Sequence, residues 1–135
     1  MIILNIPLFK GLTLEQIEDM KNKHCMTEKK YKKNSFIFRA GDIVHEIGIV
    51  LEGSINIEMI DMWDNKSILS NIDVGQIFAE SYALCNEPMM VDAVATKDST
   101  ILMLNMRQIF APINNSASWY NTFTYNLWCF PQERI

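Results

Sequence analysis

One acid, one hydroxyl and two thioethers stand close together in GQIFAESYALCNEPMMVDAVA, residues 75–95: Glu80, Ser81, Met89 and Met90. A carboxylate there can accept hydrogen bonds from hydroxyl or amide donors, and thioethers are soft groups that suit an apolar or flat partner. The stretch lacks a cation, because no Arg or Lys occurs between Lys66 and Lys97. A charge-assisted hydrogen bond contributes about 1.5–3 kcal/mol, and burying an anion without a counter-charge costs more than that. The segment is therefore a poor cradle for a phosphate. Glu80 reads equally well as a carboxylate that caps nearby backbone amides.

Other reactive side chains are sparse. Cys25, Cys85 and Cys129 are far apart and form no CxxC pair, so neither a disulfide framework nor a zinc site is encoded, and buried or idle thiols are expected. Two histidines, His24 and His45, are too few for a cupin-like metal site built from several histidines and a carboxylate, and His45 in DIVHE is expected to face solvent. There is no GxSxG, no HExxH and no cysteine at a recognisable spacing from a histidine. The sequence thus predicts no enzyme, no catalytic residue, no metal and no cofactor. The net charge of −4 is unlike the basic footprint of a nucleic-acid-binding domain, and EKKYKK at 28–33 reads as the wet face of a strand around Tyr31.

The elements that would position the segment follow from periodicity. With 135 residues, 49% of them hydrophobic, the chain has the size of one domain with one core. IGIVL is far too short to span a bilayer and MIILNIPLF has no basic region or cleavage site, so a soluble, cytoplasmic protein without membrane contact is expected. Residues 13–22 read as a helix, with Thr13 and Gln16 at capping-box spacing and Leu14, Ile17 and Met20 as its apolar side. From about 26 to 104, six to eight short β-prone runs alternate with turn residues, which predicts a closed or rolled antiparallel sandwich. In INIEMI, Ile55, Ile57 and Met59 alternate with Asn56, Glu58 and Ile60, as in a strand with one buried face.

Beyond TILMLN, MRQIFAPI predicts a short helix interrupted at Pro112, and a second helix begins near Ser116 or Ser118. Trp119, Phe123, Leu127 and Phe130 follow at helical spacing. Such a stripe needs a covering surface, from its own domain or from a second copy of the chain.

The order of elements resembles the effector domain of the Crp/Fnr family of transcription regulators, which is similar to cyclic nucleotide-binding domains. The resemblance is carried by IPLFKGLTLEQIEDM, FRAGD, IGIVLEGSINI, DVGQIFAES and VDAVATKDSTILMLN, with Gly41 and Gly53 at the turns where the family keeps glycines. It implies a mainly β fold with flanking helices, a double-stranded β-helix or β-roll of jelly-roll type. Residues 1–110 would be the sensor and 111–135 the start of a dimerisation helix. Relatives that bind a cyclic nucleotide use the counterpart of residues 75–95 as a phosphate cassette. On that pattern Ala79 stands at a glycine position, Glu80 at the ribose-binding acid, Ser81 at the start of the short helix, and Met89 or Met90 at the arginine.

These five positions are the expected effector pocket, degenerate at its cation. The resemblance therefore implies an unknown small-molecule effector less anionic than cyclic AMP, or none. An iron–sulfur sensor would need several N-terminal cysteines where only Cys25 stands, and haem would need His24 or His45 as a ligand. The family reads DNA through a winged helix-turn-helix that follows the dimer helix, and the residues after Phe110 are too few to hold both. The chain is expected to be the sensor part of a regulator, a homodimer through Trp119, Phe123, Leu127 and Phe130. The alternative is a stand-alone ligand-binding or protein-interaction module of the same fold.

Overall fold

A computed structural model describes residues 6–129, and the short runs between turn residues become eight strands in it. They are β1 (Met26–Tyr31), β2 (Phe36–Phe38), β3 (Glu46–Glu52), β4 (Ile55–Ile60), β5 (Lys66–Ile72), β6 (Ile77–Phe78), β7 (Asp92–Ala95) and β8 (Ser99–Asn105). Four helices flank them: α1 (Leu14–Asn22), α2 (Glu80–Cys85), α3 (Met106–Ile109) and α4 (Tyr120–Cys129). The strands form two four-stranded sheets in the orders β1-β8-β3-β6 and β2-β7-β4-β5, and their pairings are antiparallel. This is the rolled sandwich expected from the spacing of the runs.

Strand β8 shows how two cores share one sheet. Side chains alternate faces along a strand, so Ile101 and Met103 enter the interior of the roll while Leu102 and Leu104 point to the helical layer. The roll core also holds Phe38, Val50, Ile55, Ile57, Phe78 and Met89. The helical layer gathers Leu8, Phe9, Ile17, Met20, Ile109, Trp119 and Phe123. Gly48 makes room for this division, because a Cβ at that position would collide with the Phe78 ring.

Helix α1 starts as its sequence predicts. The Thr13 hydroxyl accepts from Gln16 N at 3.1 Å, and the Thr13 amide donates to Gln16 Oε1 at 2.9 Å. Ile17 and Met20 are buried, but Leu14, expected on the same apolar side, is 53% exposed: it occupies the first helical position, and the covered stripe begins at Ile17.

Three further expectations change. In β4 the alternation holds only as far as Ile57. The ladder with β5 slips by one residue between Ile57 and Glu58, and beyond it Glu58 is buried while Met59 is exposed. Helix α3 ends at Ile109, before Pro112, which instead opens a 3-10 turn at Pro112–Asn114. The second helix begins at Tyr120 rather than at Ser116 or Ser118.

The aromatic stripe does form, but it faces inward. Trp119 and Phe123 are 0% exposed and Leu127 is 6% exposed, all within the chain's own helical layer, so they offer no surface to a second copy. Phe130 lies outside the described residues. The physical reason is the surface already waiting beneath α4. Phe9 meets Phe123 with ring centroids 6.1 Å apart, Trp119 Nε1 donates to Asp19 Oδ2 at 2.8 Å, and Asn126 donates to Leu8 O and Lys10 O at 2.9 and 2.7 Å. Together with Lys23, that indole holds the Asp19 carboxyl below its ordinary range. Among the described residues no helix is long and apolar enough to cross a membrane.

Candidate functional site

The segment 75–95 is anchored at both ends by backbone. Gly75, at φ +87°, turns the chain so that its amide donates to Val50 O at 2.8 Å, and β6 then pairs with Gly48 and Ile49 of β3. Ala79 follows with φ +69°, a left-handed conformation that costs an L-residue about 1–2 kcal/mol. The geometry of a glycine position is thus kept without the glycine. Burial of Ala79 at 2% exposure holds it there, and its carbonyl accepts the first helical bond, from Ala83 N at 3.0 Å.

Helix α2 starts at Glu80, one residue before the expected Ser81, and ends at Cys85, capped by Asn86, again left-handed at φ +57°. Its six residues split between the two cores, with Tyr82 packed on the roll and Ala83 on the helical layer. Glu80 points inward and is 1% exposed. Ser81 is half-buried on the side of α2 that faces α4.

After α2 the chain pairs with the loop between β2 and β3. Met89 N donates to Asp42 O at 2.8 Å and Gly41 N donates to Met89 O at 2.7 Å, while Asp92 Oδ1 accepts from Ala40 N at 2.7 Å. This extended pairing sends successive side chains to opposite sides. Met89 enters the roll core at 3% exposure, whereas Met90 is 72% exposed and lines no interior, which corrects its expected place in the pocket.

The structure therefore brings Ala79, Glu80 and Met89 inward, and places Ser81 and Met90 elsewhere. The inward group is apolar apart from the Glu80 carboxylate. Arg39 lies on the loop that pairs with Met89, but its guanidinium sits 4.2 Å from the centre of the Phe36 ring. Among the described residues no group of three His, Cys, Asp or Glu side chains is arranged to hold a metal ion.

Sequence reasoning missed several residues here. Asp92 is 9% exposed and ties β7 to the 39–42 loop, and its only signal was an acid inside the apolar run VDAVA. Glu58, also buried, lies opposite Asp92 in the β4–β7 ladder, with Lys66 Nζ 3.6 Å from its carboxylate. His45 is half-buried beside Arg107, not solvent-facing as expected. Cys25 is buried, and that burial pushes its thiol pKa up, as suits an inert side chain.

Residues 28–115 match the family described as cyclic nucleotide-binding domain. The fold is similar to the N-terminal domain of a transcriptional regulator from Streptomyces coelicolor A3(2), with TM-score 0.78 and 18% identity over 95% of this chain and 89% of that one. It is also similar to the Thermus thermophilus catabolite activator protein, with TM-score 0.73 and 23% identity over 90% of this chain and 55% of that one. A third similar structure is the regulatory subunit of a cAMP-independent protein kinase A from Trypanosoma brucei, with TM-score 0.67 and 24% identity over 78% of this chain and 38% of that one. The chain thus spans about half of the catabolite activator protein and less of the kinase subunit. Among curated proteins, none matches this sequence.

Proposed function

The chain belongs to the cyclic nucleotide-binding domain family, and on that premise we propose that it is the effector-sensing part of a Crp/Fnr-type transcription regulator that does not take cyclic AMP in the usual way. The similarity of its fold to two transcription regulators supports the regulatory half of this reading. DNA contact then belongs to a separate domain. The fold similarity to a kinase subunit described as cAMP-independent is consistent with the second half.

A single observation carries the ligand part of the reading. Of the two residues expected at the arginine position, Met89 and Met90, Met89 is the inward one, 3% exposed and packed into the roll core with Phe38, Val44 and Val91. An anionic phosphate placed there would displace apolar contacts and gain no charge-assisted bond. On this reading a neutral or weakly polar effector is favoured over a nucleotide.

The homodimer expected from the sequence stays part of this reading. Its contacts have to come from side chains other than Trp119, Phe123 and Leu127, which the chain's own core consumes. Calorimetric titration with cyclic AMP and cyclic GMP tests the proposal. No micromolar binding is expected from either, and such binding would overturn it.

A further inference from the structure

The outer side of α2 is lined by two cavities that share a wall. Between α2 and α4 lies a space of about 690 Å³ walled by Leu84, Phe110, Leu127 and Trp128, with Ser81 and Cys85 on α2, and no charged side chain lines it. Leu84 and Phe110 also wall a second cavity of about 320 Å³, which carries His45, Asn86 and Arg107. Both volumes lie within the range of roughly 300–1,000 Å³ common for small-molecule sites.

The chemistry changes along this pair of chambers. The larger is apolar, and its Thr124 hydroxyl is already used within α4, donating to Tyr120 O at 2.7 Å. Leu84, Phe110 and Trp128 are 40%, 39% and 89% exposed, so a ligand seated there would remove much apolar surface from water. The smaller chamber ends in a cation. Arg107 makes no ion pair among the described residues, and no carboxylate lines either chamber.

We propose that the two adjacent cavities together bind an amphipathic organic acid that passes over the exposed Leu84 and Phe110 between them, with its apolar body between α2 and α4 and its carboxylate on Arg107, assisted by His45 and Asn86. A guanidinium can hold a carboxylate through two parallel hydrogen bonds, and the amide of Asn86 can donate a third. A nucleotide would not match the larger chamber, which offers its base and sugar few polar partners beyond the Ser81 hydroxyl and the Cys85 thiol. This site uses the outer side of α2, away from the inward Glu80 and Met89, so it stands or falls separately from the reading of Met89.

The test uses the full chain, with decanoate and decanol as probes below their aggregation thresholds. Calorimetry should show saturable binding of one decanoate per chain, about ten- to a hundredfold tighter than decanol, the range a charge-assisted contact supplies. Trp128 emission should move to the blue on decanoate binding, with Trp128→Phe as the control. Arg107→Ala should reduce decanoate to the level of decanol, and Ser81→Trp should block both by filling the larger chamber. Failure of decanoate to saturate, equal affinity for the two probes, or unchanged decanoate binding in Arg107→Ala would each overturn the proposal. So would light scattering that shows a dimer closing over Trp128 and excluding the probe. Cyclic AMP binding in the same cell would contradict the cassette reading alone.

Discussion

Two adjacent methionines, Met89 and Met90, differ in burial, and only Met89 enters the roll core. A strand sends neighbouring residues to opposite sides, so Met89 is core and Met90 is surface, a distinction of one residue that no composition argument makes. Trp119 shows the same sensitivity at another place. Its indole and Lys23 hold the Asp19 carboxyl below its ordinary value, so this contact contributes stability above the ordinary carboxylate pKa, and the contribution is lost as pH falls through the lowered one. The ion pair itself is 41% and 42% exposed, which limits its share to less than about 1 kcal/mol. Asp19→Asn should therefore unfold at slightly lower urea near neutral pH and match the parent below the carboxylate range. Urea titrations at several pH values check this. An equal deficit at all pH values would assign the effect to packing.

Local signals were the most legible elements. The capping box of Thr13 and Gln16 involves one turn of helix, and its two hydrogen bonds form as read. The strands were recoverable because alternation and turn residues are also local. The slip between Ile57 and Glu58 was hidden because it depends on which residue of β5 stands opposite, a non-local fact. Gly48 belongs to the same class. Nothing near it in sequence says that a ring from β6 lies over it, yet a Cβ there meets Phe78. Gly48→Ala should cost roughly 1–3 kcal/mol through overpacking. Thermal unfolding measures it, and Phe78→Leu in the same chain should recover part of the loss; an unshifted melting temperature for Gly48→Ala would contradict this packing.

At the scale of the whole molecule, the direction of the α4 stripe was the least legible feature. Helical spacing shows that Trp119, Phe123 and Leu127 share a face, but what covers that face is set by the N-terminal turn at Phe9, by α1 and by β8 together. Phe123→Glu should consequently unfold the protein, at a cost of at least about 3–5 kcal/mol, instead of separating a dimer. Circular dichroism and light scattering distinguish the outcomes, and a folded monomer from a parent dimer would restore the interface expected from the sequence.

The proposed reading rests on a left-handed Ala79 and on a Met89 that is packed into the roll core where the resemblance implies an arginine. Isothermal titration of the full chain with cyclic AMP tests that claim most directly. The structure predicts no saturable heat at micromolar concentrations, because the phosphate would meet Met89 without a cation. A micromolar dissociation constant with one site per chain would contradict the account.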